Sequence, residues 1–298
     1  MIAKNNIFVG PAGWSYPDWN GIVYPKKKPR GFSELEFLSQ YFNTIEINST
    51  FYRIPAKSHT EKWINVVNYR RQFRFCVKLW RGFTHENNKP SKAERDSFRD
   101  VMMPMLEHEK MGVLLIQFPW RFKKTNDNVN RVLEIASQFQ DFPRAVEFRH
   151  KSWLIKDVVD ILRERDIAFT NIDQPVIGNS IEPSAHVTSN FGYVRLHGRN
   201  YQNWFKKDAG RDARYDYLYP KKELDEWRQQ VEKMTDQAAS TFVIFNNHFR
   251  GQAVINGLEF LHELNNEKIK IPAPLLKSHP SLSSIASNPE DGGTLELF

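Results

Sequence analysis

Short runs rich in Val, Ile and Phe alternate with amphipathic helical runs along almost the whole chain, and this alternation limits the available folds more than any other feature. Eight strand segments are predicted, at 7–10, 44–48, 73–79, 113–118, 144–149, 167–172, 193–197 and 241–246. Each is short and apolar, as strands of a parallel sheet covered on its faces are. Helix signals lie between them. Ser58-His-Thr-Glu61 and Ser91-Lys-Ala-Glu94 read as capping boxes. Leu224, Trp227, Val231 and Met234 form one apolar helical face, and Ala253, Val254, Gly257, Leu258 and Leu261 another. One uninterrupted β-then-α series predicts an α/β fold, a single (β/α)8 TIM-like barrel over residues 1–270, with an open doubly wound sheet as the alternative. From about Ile271 the chain turns to Pro, Ser, Asn and Gly, so 271–298 reads as a flexible tail.

A chain of 298 residues fits one such barrel, and 40% apolar with 13% aromatic residues rules out a disordered chain. No run approaches the ~18 apolar residues of a membrane span. One cysteine, Cys76, cannot build an internal disulfide framework. A soluble, cytoplasmic protein without membrane contact is expected. The formal charge of +7 favours anionic partners only weakly, because a solvated basic surface gives the same total.

Barrels of this kind place their sites at the C-terminal ends of the strands. Strand alternation sorts the side chains there. Ile45 and Ile47 oppose Glu46 and Asn48; Phe75, Val77 and Leu79 oppose Cys76 and Lys78. Val146 and Phe148 oppose Glu147 and Arg149, and Val194 and Leu196 oppose Arg195 and His197. Gln117 and Asn246 end the fourth and eighth strands. The helix-facing side must be apolar, so the polar set converges on one mouth. A purely structural arrangement would pair Glu147 with Arg195 and Glu46 with Lys78. The ligand-pocket reading assigns catalysis to Glu46, Glu147 and His197. It assigns substrate binding to Trp14, Asn48, Lys78, Gln117, Arg149, Arg195, Arg199 and Asn246.

Several long motifs are distinctive: Gly13-Trp-Ser-Tyr16 with Trp19, Phe42-Asn-Thr-Ile-Glu-Ile-Asn-Ser-Thr-Phe-Tyr52, Phe73-Arg-Phe-Cys-Val-Lys78, Thr84-His85, Gln117-Phe-Pro119, Val146-Glu-Phe-Arg-His150 with Ser152-Trp153, Arg195-Leu-His-Gly-Arg199, and Phe245-Asn-Asn247 with Gly251. In these motifs, over roughly residues 7 to 265, the chain resembles the YecE-like family, domain of unknown function 72. The resemblance implies a TIM-like barrel and supplies no established activity. Pro11-Ala12 departs from the family, whose members more often carry Thr and a small polar residue there, so that turn receives no polar catalytic role.

Glu46, Glu147, Asp173, His197 and either His85 or His150 are ligand types for a divalent metal. Lys78, Arg149, Arg195 and Arg199 in the same mouth would repel one. No cofactor is therefore assigned, and a divalent metal stays as an alternative. Metal-free acid–base chemistry fits better: neighbouring cations lower the carboxylate pKa values, and His197, ordinarily near neutrality, is the better proton donor. Cys76 reads as packing. Two loops add cations: Lys26, Lys27, Lys28 and Arg30 after the first strand, and Arg199, Lys206, Lys207, Arg211 and Arg214 after the seventh. The latter are interleaved with Tyr201, Trp204, Phe205, Tyr215, Tyr217 and Tyr219. Cations among aromatics suit phosphate contact with base stacking. In the first loop, Trp14, Tyr16 and Trp19 form either a stacking wall or a lid core. The expectation is an enzyme acting on a phosphate-bearing small molecule or nucleic acid. The alternatives are a non-catalytic binding module for an anionic ligand and a sugar hydrolase using the Glu46–Glu147 pair.

The terminal Thr294-Leu-Glu-Leu-Phe298 resembles the sliding-clamp-binding pentapeptide of bacteria, Gln-Leu-x-Leu-Phe, in its last four positions. Thr294 replaces the anchoring Gln. A tethered apolar end of this kind docks in a partner's groove or frays. The docking reading makes the DNA sliding clamp a partner through Leu295, Leu297 and Phe298. A peptide of residues 287–298 should bind the clamp, and changing Leu297 and Phe298 to Ala should abolish binding. Equal binding by both peptides, or none by the wild type at high micromolar concentration, removes the link.

Overall fold

A computed structural model describes residues 6–86, 89–206, 208 and 210–287. Eight parallel strands form a ring: β1 (Ile7–Pro11), β2 (Thr44–Ile47), β3 (Arg74–Lys78), β4 (Met111–Gln117), β5 (Arg144–Glu147), β6 (Ala168–Asp173), β7 (Phe191–Leu196) and β8 (Ser240–Phe245). Neighbours run β1-β8-β7-β6-β5-β4-β3-β2. The five-residue pairing of β1 with β8 excludes the open doubly wound sheet.

The remaining seam, between β1 and β2, closes differently. Near the mouth, Gly13 N–H donates to the Glu46 carbonyl at 2.8 Å. Lower down, the Asn43 side chain replaces the ladder: its Oδ1 accepts from Val9 N–H at 2.7 Å and its Nδ2 donates to the Ile7 carbonyl at 2.9 Å. The backbones approach so closely that a Cβ on Gly10 would lie 1.7 Å from the Thr44 carbonyl oxygen.

Ten helices accompany the ring among the described residues: α1 (Glu34–Ser39), α2 (Ser49–Tyr52), α3 (Lys57–Val67), α4 (Lys92–Glu107), α5 (Asn126–Ser137), α6 (Lys156–Glu164), α7 (Gly210–Ala213), α8 (Lys221–Thr235), α9 (Gln252–Asn265) and α10 (Ala273–Ser278). Ser91 and Glu94 form the reciprocal box that starts α4. Ser58 does not cap α3, because the helix starts one residue earlier and leaves it inside the first turn. The apolar faces read on α8 and α9 are buried. No helix links β6 to β7. Instead, segment 174–190 is tied to β6 through side chains. Asn171 Oδ1 accepts from His186 N–H, and Thr188 Oγ1 accepts from Phe169 N–H, at 2.8 and 2.7 Å.

The apolar interior has two parts. One lies between strands and helices. The other fills the inside of the ring with Cys76, Val113, Leu115, Ala145, Tyr193, Phe242 and Ile244. Cys76 is free and buried, and burial pushes its thiol up to about 12, as packing requires.

Residues 271–287 are not loose: Leu275 and Leu282 are buried, and Ser287 N–H donates to the Ile269 carbonyl at 2.8 Å. Two leucines in a polar segment supply the apolar contact that its composition concealed. Leu295, Leu297 and Phe298 lie outside the described residues. Among the described residues no helix is long and apolar enough to cross a membrane.

Candidate functional site

Glu46, Glu147 and Arg195 project inward above the apolar filling, all at most 1% exposed. Arg195 joins the two carboxylates. Its Nη2 donates to Glu46 Oε1 at 2.6 Å and its Nη1 to Glu147 Oε2. The other oxygens are also taken. Glu46 Oε2 accepts from Tyr193 Oη at 2.8 Å, and Glu147 Oε1 accepts from Arg149 Nε at 2.8 Å. Burial alone would raise the Glu147 pKa, but Arg195 and then Arg149 hold it well below the usual carboxylate range. Its ion pairing therefore supports the fold at every pH above the ordinary carboxylate value. That support is lost progressively as pH falls from the ordinary value to the depressed one.

His197 completes the cluster. Arg149 Nη2 lies 3.3 Å from its Nε2, and the Asn246 amide 2.8 Å from its Nδ1. A guanidinium donating to Nε2 leaves the ring proton on Nδ1; the Asn246 Nδ2 faces that nitrogen, so the amide must turn over to accept the proton with its oxygen. Burial, then the Arg149 charge, pushes the His197 pKa well down. Both effects favour the neutral ring and so work against the proton-donor role expected from its ordinary pKa.

Above the cluster opens a cavity of about 710 Å³. Trp14, Asn48, Lys78, Gln117, Arg149, Arg195 and Asn246 line it; Glu46, Glu147 and His197 do not. The three residues assigned to catalysis lie beneath the floor, where they hold Arg195, Arg149 and Asn246 in place. Lys78 is not the partner of Glu46. Its Nζ sits 4.3 Å from the centre of the Phe51 ring, and no carboxylate lies within ion-pair distance of it among the described residues. Phe51 is held there from two sides. Thr50 Oγ1, its neighbour on α2, donates to the Lys78 carbonyl at 2.7 Å, and His85 meets the ring edge-on at 4.9 Å. Burial, then the Arg195 charge, pushes the Lys78 amine down to about 7.

The description "Protein of unknown function DUF72" matches residues 8–280. The chain belongs to the DUF72 family. The UPF0759 protein YunF of Bacillus subtilis is 32% identical over 275 residues, covering 88% of this chain and 95% of that protein. The UPF0759 protein YecE of Escherichia coli is 29% identical over 80 residues, covering 27% of this chain and 26% of that protein. The crystal structure of the DUF72 family protein TM1631 from Thermotoga maritima superposes with a TM-score of 0.77 at 31% identity, covering 87% of this chain and 99% of that one.

One expected binding residue of this DUF72 barrel lies elsewhere. Arg199 does not line the cavity: its Nε donates to Asp173 Oδ1 at 2.9 Å and its Nη1 pairs with Glu223 at 3.1 Å. The chain turns at Gly198, with φ at +91°, and Asp173 on β6 captures the guanidinium. Asp173 also accepts from Trp227 Nε1 at 2.7 Å. Among the described residues no three His, Cys, Asp or Glu side chains are grouped closely enough to hold a metal ion. Glu46, Glu147, Asp173 and His197 face guanidinium groups instead.

The loops divide as well. Trp14 and Tyr16 line the cavity, whereas Trp19 is core, its Nε1 donating to the His248 carbonyl at 2.7 Å. Lys26, Lys27, Lys28 and Arg30 lie away from the cavity wall, and Lys28 pairs with Glu34 at 2.8 Å. After β7, Trp204, Phe205, Arg214 and Tyr215 reach the wall; Lys206 is exposed, and Lys207 and the Arg211 side chain lie outside what the structure describes. Sequence reasoning missed Tyr193, although it shares a strand face with Arg195. It also missed Gln174, Arg81, Phe51 and Trp120. Gln174 directly follows β6, a strand-end position like that of Asn246. Its amide is buried at the cavity, and both its polar atoms have no hydrogen-bond partner.

Proposed function

We propose that the barrel is an enzyme acting on a phosphate-bearing substrate, a nucleotide or nucleic-acid end being the class that suits its walls, with Lys78 as the acid–base group. One observation carries this reading. Five cations, Lys78, Arg81, Arg149, Arg195 and Arg214, line the cavity, and no carboxylate does among the described residues. The carboxylates below are already saturated by Arg195, Arg149 and Tyr193. Excess positive charge in a concave, poorly solvated site draws an anion. Trp14, Tyr16, Phe51, Trp120, Trp204 and Tyr215 offer aromatic faces to a base, and Gln174 offers a free donor and acceptor. A general acid–base group works best when its pKa lies near the working pH, and Lys78 meets that condition.

The buried Glu46–Glu147 pair argues against the sugar-hydrolase alternative, since neither carboxylate reaches the cavity. The same cavity would serve a binding module, which turnover separates from an enzyme. A sliding-clamp contact through Leu295, Leu297 and Phe298 belongs with the nucleic-acid form of this reading, as does a cytoplasmic location.

Calorimetric titration with inorganic phosphate and with adenosine monophosphate tests the site. Arg149→Ala and Lys78→Met should each weaken binding by ~10-fold or more, the worth of a charge-assisted hydrogen bond. A bound anion favours the charged amine, so wild-type affinity should fall as pH rises from 6 to 9, and Lys78→Met should flatten that slope. Lys78 also has a stability signature. Its folded pKa lies below its unfolded one, so stability gains as pH rises from about 7 through 10.5. Lys78→Met should accordingly stabilise the protein at neutral pH, as removing a strained functional group often does. Absence of binding by either ligand at low ionic strength would overturn the reading.

A further inference from the structure

We infer that Lys78 is a covalent nucleophile, forming an imine with the carbonyl carbon of a phosphorylated aldehyde or ketone held in the cavity. The inference rests on the phosphate-binding reading and adds a reactive group to the ligand. It stands on the position of the amine. Lys78 ends β3, faces the cavity and packs its Nζ over Phe51. Two other lysines withdrawn from solvent are occupied, Lys28 by Glu34 at 2.8 Å and Lys110 by the Arg70 carbonyl at 2.7 Å. Lys78 alone lines the cavity among the described lysines, and it has neither carboxylate nor carbonyl to bind. An apolar ring on one side and guanidinium groups nearby are the two conditions that turn a lysine into a nucleophile. The depressed pKa follows from the same surroundings. Arg149 and Arg81, both on the cavity wall, are the groups for the phosphate, alongside their own pairs with Glu147 and Glu86.

The step balances. The neutral amine attacks the carbonyl carbon, a C–N bond forms, and the C=O π pair moves to oxygen, which takes up the proton the amine loses. The C–O bond then breaks, oxygen leaves as water with one proton from solvent, and the nitrogen lone pair completes a protonated C=N bond. Nothing is oxidised or reduced.

Pyridoxal 5′-phosphate, an aldehyde carrying phosphate, is a suitable probe for the full-length protein. After borohydride reduction, peptide mass spectrometry should find one adduct per chain, on Lys78. Labelling should saturate, be displaced by inorganic phosphate and slow as pH falls below 7. Pyridoxal without phosphate should label at least ~10-fold more slowly, by the worth of the phosphate contacts. Lys78→Arg keeps the charge and should abolish the adduct while the circular dichroism spectrum stays unchanged. Label spread over exposed lysines such as Lys26 and Lys27, with Lys78 unmodified, overturns the inference. If inorganic phosphate nevertheless binds by calorimetry, only the imine falls. If it does not, the phosphate reading falls with it.

Discussion

Replacing Arg195 by Met should destabilise the protein by ~3–5 kcal/mol, the range for breaking a buried ion pair on one side. The guanidinium is 1% exposed and bridges two carboxylates that are themselves fully buried. Without it, Glu46 keeps only the Tyr193 hydroxyl and Glu147 only Arg149. Neither carboxylate can reach water. A urea midpoint measured at pH 7 checks the size of the loss. Adding Glu46→Gln to Arg195→Met should recover part of it by removing the stranded charge. Wild-type stability in the single variant would mean that the bridge carries no net weight. The variant should also be relatively less sensitive to acid, because it lacks the Arg195 pairing with Glu147 that acid removes from the wild type. The wild type instead loses the stabilisation held by Glu147 as pH falls below its ordinary carboxylate value.

Gly10→Ala should be at least as damaging. A methyl group there would meet the Thr44 carbonyl oxygen at 1.7 Å, and that atom is backbone, which cannot turn aside as a side chain can. Ordinary overpacking costs ~1–3 kcal/mol because neighbours shift slightly. Here the only relief is to part β1 from β2, which also breaks both Asn43 bonds. The expected loss exceeds ~3 kcal/mol, read as a fall in soluble yield and in the thermal midpoint. A Gly10→Ala protein that melts with the wild type would show that the seam can open without penalty.

The ring itself was written in the sequence. All eight strand segments occur, because short Val-, Ile- and Phe-rich runs bounded by helix signals have few other homes. Alternation likewise brought Lys78, Gln117, Arg149, Arg195 and Asn246 to one mouth. What alternation cannot supply is depth. Glu46 pairs in register with Cys76, one step below Lys78, and this offset puts the carboxylate under the floor and the amine on the wall. Inter-strand register comes from the stagger of the closed ring, which no single strand encodes. The same blindness made Lys78 look like the natural partner of Glu46. Arg199 was misplaced for a different reason: the period of two stops at Gly198, and a loop side chain goes to whichever carboxylate lies nearby.

The Glu46–Arg195–Glu147 bridge also governs how the ring comes together. Its bonds join residues 149 and 48 positions apart, on β2, β5 and β7. No contiguous half of the chain therefore owns a balanced set. A piece ending before β5 would hold Glu46 with neither Arg195 nor Tyr193 to meet it. The complementary piece would hold Arg195 with one edge of its guanidinium unclaimed. Charged groups give up water only when their partners are in place, and pairings between distant residues form late. Closure is thus electrostatically all-or-none. The barrel should therefore assemble as one cooperative unit and not as two stacked halves, and a chain cut between β4 and β5 should regain its shape only when both pieces meet.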